Sequence, residues 1–403
     1  MKKRCFILFG LLALALTFSA CTSPAGSETQ SSSDQVATIV ASTLQALTPV
    51  VSDSPTEEHA DVLPHSFYFL GRDGSGLLQV FRKERDGSTT RQLTFEPVNV
   101  NSYDVSLADG SVAYVSNNQL LWADVNGSSR RLLVDGGPVD QINPFVSTLS
   151  SPVFSPNGQT LAYSYRGLNF YSMTSGVSSL ILENQLDDLG NGAIFPKEVY
   201  SPALFSPDGT KMLVTLGYYE GAASAIYFMA SNTLVRVSTD DRALLCCNRE
   251  IWTADGSGYY SASSAMGMFT AGLWRVDASS GQTTTLFTSS YDADIFNYAS
   301  DPYLAPDGQL YFFFHSSNSE INQRTPLQIV RSAPDGVTGR TVLRPGTFEA
   351  MNEALWAPDA SFVVVAMAPT GDIYYGGQAE VTYLDGRPSV ILTSFAQEMK
   401  WGP

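Results

Sequence analysis

Asp301, Glu353 and Glu398 occupy one place in a recurring pattern, each five residues ahead of the proline of a turn-like motif. The same column, read along the chain, is Tyr103, Ser151, Pro202, Arg249, Asp301, Glu353 and Glu398. Three carboxylates in consecutive units would meet around one opening if the units pack side by side in a ring. Such oxygens suit a Ca²⁺-like cation or a basic group, because hard cations prefer oxygen ligands. Arg249 would neutralise part of that charge. The plainer role for these acids is to cap turns between units, and whether any metal binds is left open.

A second set of chemistry-bearing residues lies in long segments of the chain. Tyr219 and Glu220 follow Tyr218; Asp294 sits with Tyr291, Asp292 and Phe296; Tyr374 and Tyr375 follow Asp372. Aromatic rings beside carboxylates suit sugars, peptides or cationic ligands. The competing reading has the acids solvated and the rings covering strand edges. Cys246 and Cys247 are adjacent. A disulfide between neighbours is strained, because their Cα atoms lie only about 3.8 Å apart. Two free or half-buried thiols is therefore the simpler expectation.

What positions these residues is a repeat. Ala108-Asp109-Gly110, Pro156-Asn157-Gly158, Pro207-Asp208-Gly209, Ala254-Asp255-Gly256, Pro306-Asp307-Gly308 and Pro358-Asp359-Ala360 share one signature. Successive Asp or Asn positions are 48, 51, 47, 52 and 52 residues apart. Asn and Gly tolerate positive φ, so the signature marks tight turns. Short apolar runs precede most of the turns, as at Leu204-Phe205-Ser206 and Leu355-Trp356-Ala357, and β-rich runs follow, as at Met212-Leu213-Val214-Thr215. A third and a fourth strand complete each unit, as at Leu120-Leu121-Trp122-Ala123-Asp124 and Arg131-Leu132-Leu133. Four strands per unit of about fifty residues is the signature of a propeller blade.

Phe205-Ser206-Pro207-Asp208-Gly209 followed by Lys211-Met212-Leu213-Val214 resembles the WD40-like Pro-Asp repeat of TolB-type β-propellers. The resemblance covers residues 66–403 and implies fold rather than function. TolB-type proteins usually carry six blades and a preceding α/β domain; this chain shows no such domain, so a role in the Tol–Pal system does not carry over. The expected fold is all-β, a seven-bladed propeller of four-stranded blades, with six or eight blades as the alternative. The first unit, from Ser66 to Thr94, lacks its first strand, and Trp401-Gly402-Pro403 aligns with Trp356-Ala357-Pro358. The C-terminal strand is therefore expected to complete the first blade and close the ring.

Upstream of the repeat lies an address. Lys2, Lys3 and Arg4 precede an apolar run from Phe6 to Phe18, too short to span a bilayer comfortably. Phe18-Ser19-Ala20-Cys21 resembles a bacterial lipobox, which implies lipidation of Cys21. Residues 21–62 are rich in Ser, Thr, Ala, Pro and acids, with no Lys or Arg between Arg4 and Arg72. That composition suits a flexible tether. The expected organisation is signal peptide 1–20, tether 21–62 and propeller 63–403. The protein would be exported, lipid-anchored to the cell membrane or outer membrane, and would face the periplasm or exterior.

Composition narrows the function. Among 403 residues, 23 Lys and Arg stand against 39 Asp and Glu, a formal charge of −16. That balance disfavours a nucleic-acid partner. Three His and four Cys make a His-rich metal centre or a disulfide framework a poor fit. Gly-x-Ser-x-Gly and His-Glu-x-x-His are both missing. Some seven-bladed oligosaccharide lyases use comparable repeats but place several His around a metal, and His315 stands nearly alone here. The leading expectation is a non-catalytic, monomeric binding or scaffolding propeller that recognises an envelope protein, peptide or glycan on its loop-rich face. The alternative is a lyase- or lactonase-like propeller enzyme acting on an extracytoplasmic carbohydrate or lactone. A third is a sensor or accessory subunit of an envelope complex.

Overall fold

The structure is a computed structural model; it describes residues 61–403, apart from 191, 240–242, 244, 247–249, 265–268, 290, 291, 293, 322 and 323. The signal segment, Cys21 and nearly all of the tether lie outside the described residues, as do Arg249 and Cys247. No helix among the described residues is long and apolar enough to cross a membrane.

The chain is all-β. Four sheets hold four antiparallel strands each, in chain order, with the sheet of Val100–Val105, Val112–Ser116, Gln119–Ala123 and Arg130–Asp135 as the type. Its strands read as apolar alternations, and Tyr103, Tyr114 and Leu121 are buried against the neighbouring sheet. Repeated four-stranded antiparallel units of this kind are those of a multi-bladed propeller. A fifth sheet gains one strand: Gln185–Asp188 pairs with the long strand Ile194–Phe205. Part of the stretch 184–199 is thus a hairpin. The stretch 217–225 is also mostly strand. Lys211–Tyr218 pairs with Gly221–Phe228, leaving Tyr219 and Glu220 at the tip.

The sixth sheet has seven strands, and its order explains the ends of the chain. Met351–Trp356, Phe362–Met367 and Gly377–Tyr383 lead into the twelve-residue strand Val390–Trp401. The front of that strand pairs with Gly377–Tyr383, and its back pairs antiparallel with Phe67–Arg72. Phe67 faces Trp401 and Tyr68 faces Lys400. Leu78–Lys83 and Thr90–Gln92 follow. Gly402 N–H donates to the Ser66 carbonyl at 2.8 Å, continuing the pairing to the last residues.

The Asp-Gly turns fold as their sequences demand. Asp208 accepts the Ser206 hydroxyl at 2.6 Å and the Thr210 N–H at 3.0 Å, and Gly209 takes φ of 68°. Asp255 repeats this with Thr253 and Ser257, and Gly256 lies at 64°. Asp359 holds the same turn although Ala360 stands in the glycine place at φ of 56°, a strained region for a residue with a Cβ. These aspartates fix turns, as their spacing implied.

Candidate functional site

First strands are irregular where several of the column residues stand. Ser151, Asp301 and Glu398 have φ of 54°, 49° and 53°, none of them glycine. The pairing registers slip at these points: between Ser150 and Val153, between Ser300 and Tyr303, and opposite Glu398 between Tyr68 and Leu70. Slips also fall beside Pro202 and Glu353. Each is a β-bulge, a device that re-aims a side chain at a local cost in backbone strain.

The bulges are held from the adjoining unit. Trp356 Nε1 donates to the Asp301 carbonyl at 2.8 Å, and Tyr103 Oη donates to the Glu398 carbonyl at 2.7 Å. Trp401 Nε1 donates to the Trp356 carbonyl at 2.7 Å. Both oxygens of Glu353 accept backbone N–H groups of the next first strand, from Glu398 at 2.7 Å and Met399 at 3.0 Å. The Ser300 hydroxyl donates to Asp301 Oδ2 at 2.5 Å.

These bent strands bring the expected carboxylates together. Asp301, Glu353 and Glu398 line one cavity of about 290 Å³, joined by Glu250. All four are half-buried. Ser300 and Asn352 add polar wall, and Ala262 and Pro302 add apolar wall. Ser261, 1% exposed, also lines the cavity, and its Oγ has no hydrogen-bond partner among the described residues. Glu250 and Ser261 were missed in sequence. Glu250 is one residue past the column position, and nothing marks Ser261 inside its strand.

Among the described residues, no group of three or more His, Cys, Asp or Glu is placed to hold a metal ion. The oxygens of Glu353 and Asp301 accept N–H and O–H donors from the chain itself.

The loop residues sort differently. Arg324 reaches from one unit to pin the next. Its Nε donates to the Gly371 carbonyl at 2.8 Å, its Nη1 to Met351 at 3.0 Å, and its Nη2 to Asn352 Oδ1 at 2.7 Å and to the Ile373 carbonyl. Its guanidinium lies 4.3 Å from the centroid of the Tyr374 ring, which is 73% exposed. Asn352 in turn donates to the Gly376 carbonyl at 2.5 Å. Thus one cavity-lining amide is fixed to the segment carrying Tyr374. Tyr219 is exposed and packs on Phe195, ring centroids 4.5 Å apart, across the hairpin that sequence did not foresee. Glu220 and Asp294 are exposed. None of Tyr219, Glu220, Asp294 or Tyr374 lines the acidic cavity.

Cys246 is buried and disulfide-bonded, against the expectation of free thiols; its partner lies outside the described residues.

Two further carboxylates are buried at the sides of the sheets and are structural. Glu96 accepts Arg130 Nε at 2.7 Å, Arg130 Nη2 at 3.0 Å and the Tyr114 hydroxyl at 2.8 Å. Burial pushes its carboxyl up, but those donors win and hold it below the usual range. Glu198 repeats the device with Arg236 at 2.6 Å, Tyr200 at 2.6 Å and Tyr218 at 3.2 Å. Burial and the bond to Glu198 push the Tyr200 hydroxyl up to about 12.

No protein-family model matches the chain, and no curated protein matches it in sequence. Solved structures do resemble it in fold. A puromycin-hydrolyzing peptidase from Mycobacterium tuberculosis is 15% identical with a TM-score of 0.52, over 84% of this chain and 55% of that one. An oligogalacturonate lyase from Vibrio parahaemolyticus is 11% identical with a TM-score of 0.51, over 75% and 83%. TolB from Acinetobacter baumannii is 16% identical with a TM-score of 0.42, over 81% and 79%. At such identities the likeness is one of fold alone.

Proposed function

We propose that this chain is an exported, lipid-anchored binding propeller that recognises a partner in the cell envelope. The anchor is Cys21, and the tether 21–62 holds a seven-bladed ring, residues 63–403, off the membrane. The ring reading is supported by the strand Val390–Trp401, which pairs forward with one unit and back with Phe67–Arg72. Split there, the seven-stranded sheet counts as two blades beside the other five. The single observation that carries the binding reading is the cavity lined by Asp301, Glu353 and Glu398 from neighbouring first strands and by Glu250 just ahead of another. A concave site with convergent polar groups is the default place for a ligand.

The enzyme reading is weaker for a physical reason. Glu353 offers both oxygens to backbone N–H groups, so it is poorly placed to take a proton from a substrate. Crosslinked capture from membranes tests the binding reading. A defined partner should be recovered with the intact chain and lost with Asp301→Asn or Tyr374→Ala. Turnover of an extracytoplasmic sugar or lactone, abolished by Asp301→Asn or Glu353→Gln, would replace that reading with the enzymatic one.

A further inference from the structure

Arg82, Arg324, Arg340 and Arg344 are the described arginines that are buried or half-buried. Three of them are well supplied with acceptors. Arg82 bonds Glu84 and the Val125 carbonyl. Arg324 meets the four acceptors given above. Arg344 Nη1 donates to the carbonyls of Tyr383 at 2.9 Å and Arg387 at 3.0 Å. Arg340 differs. Among the described residues its guanidinium makes one hydrogen bond, from Nη1 to the Gly336 carbonyl, and that one is long at 3.4 Å. No carboxylate among the described residues pairs with it.

The fold builds the place for this guanidinium. A turn from Ala333 to Arg340 joins the strands Gln328–Ser332 and Thr341–Val342. It meets the adjoining sheet at Gly336, where a Cβ would stand 2.7 Å from Leu273 Cδ2 and where φ of 74° also calls for glycine. Asp335, the nearest acid in sequence, is committed to the turn itself. It accepts the N–H groups of Val337 and Thr338 and the Thr338 hydroxyl. Arg340 thus lies between Phe314 of its own sheet and Phe287 of the adjoining one. Its guanidinium carbon is 3.7 Å from the first ring centroid and 5.6 Å from the second. The two rings stand edge to face, 5.6 Å apart, and both are half-buried. A ring under a guanidinium fixes its plane and leaves free the N–H donors that point outward in that plane. Burial pulls the guanidinium below its ordinary value, with no carboxylate to oppose it. Arginine stays charged all the same, so the slot holds a positive charge without a counter-charge.

We propose that the slot between Phe287 and Phe314 binds a carboxylate on an apolar stem, gripped by the Arg340 guanidinium. Two parallel N–H groups are the geometry that meets a carboxylate. The formal charge of −16 on the chain repels anions, which favours one negative charge over two. The ring faces beside the charge favour an apolar stem, as in sites that join apolar walls to a few polar groups. The slot stands at the fourth-strand edge of two sheets, whereas Asp301 stands on a first strand. It is therefore a site separate from the acidic cavity and does not depend on what the cavity binds.

Calorimetry on the full chain in detergent, with hexanoate, hexanamide and inorganic phosphate as probes, tests it. Hexanoate should bind, hexanamide, which lacks the charge, should not, and phosphate should bind more weakly than hexanoate. Arg340→Ala should weaken hexanoate binding by about tenfold or more, and Arg340→Lys, which keeps the charge and loses the fork, by about threefold or more. Arg91→Ala, which removes an exposed charge from another sheet, should change nothing. Unchanged melting temperatures separate lost binding from lost fold, and the three probes test the parent chain without any variant. Tighter binding of Nα-acetyl-glutamate amide than of hexanoate supports the proposal with a protein side chain as the source. Tighter binding of octanoate supports it with a free fatty acid as the source. The proposal is overturned if hexanoate does not bind, if hexanamide or phosphate binds as tightly as hexanoate, or if Arg340→Ala binds hexanoate as the parent does.

Discussion

Lys400 Nζ lies 2.7 Å from Asp104 Oδ1, although the two residues are 296 apart in sequence. The other oxygen of Asp104 accepts the Phe154 N–H at 2.7 Å. One carboxylate thus ties the last strand of the chain to the first strands of two successive units. Asp104→Ala should remove both bonds at once. It should cost about 2–3 kcal/mol, mostly through the orphaned N–H, since the ion pair is partly exposed. Urea unfolding would read this as a lower midpoint with an unchanged slope.

Removing residues 400–403 should cost far more than four residues from an ordinary terminus. Trp401 packs edge-on against Phe67 and Phe362 and donates to the Trp356 carbonyl. Loss of a fully buried Trp costs about 3–5 kcal/mol, and Trp401, partly buried, should contribute a good part of that. The melting temperature should fall by roughly 10 °C. An unchanged transition would mean that the C-terminal strand does not close the ring.

The Glu96 and Glu198 clusters should behave alike under substitution. Arg130→Ala leaves a buried carboxylate supported chiefly by Tyr114, at a cost of about 1–3 kcal/mol because Arg130 itself is half exposed. Tyr114→Phe in the same background should add a further loss smaller than it gives alone or in sum, a coupling that a double-mutant cycle reads directly.

Stability should fall with acid in a defined window. Hydrogen bonds, first from Ser206 and Thr253 respectively, hold Asp208 and Asp255 at about 2, against an ordinary value of 3.8. A depressed folded-state value means that the contribution is complete above the ordinary value and is lost as pH drops from about 4 toward 2. Melting temperature against pH should show this decline. Asp208→Asn should flatten part of it, since Asn keeps an acceptor and cannot titrate there.

Removing the Arg324 guanidinium should loosen a loop rather than unfold the domain. Arg324→Ala frees the carbonyls of Gly371 and Ile373 and the stacking face of Tyr374. Amide exchange should speed up across 370–376 and leave the strand Phe362–Met367 protected.

The repeat was legible because its turns use residues with a conformational signature, and because each unit alternates apolar and polar residues at strand period. The carboxylate column followed from counting back from those turns. Its conformation did not follow: positive φ at Ser151, Asp301 and Glu398 has no glycine or asparagine to announce it. The strain is imposed by contacts from other units, such as Tyr103 on the Glu398 carbonyl. The hairpin through Gln185–Asp188 was hidden because its polar composition reads as loop. Arg324 gave no local sign either, since all its partners lie at least 27 residues away.

The edge of Phe67–Arg72 is filled by a strand from far along the chain, Val390–Trp401. During synthesis its unpaired N–H and C=O groups wait beside Phe67, Phe69 and Leu70 until that strand arrives. An open apolar edge of that kind is a template for pairing with other chains. The interval between making Arg72 and delivering Trp401 is therefore the most hazardous stage in the life of this protein. Its yield should depend on how quickly Val390–Trp401 follows.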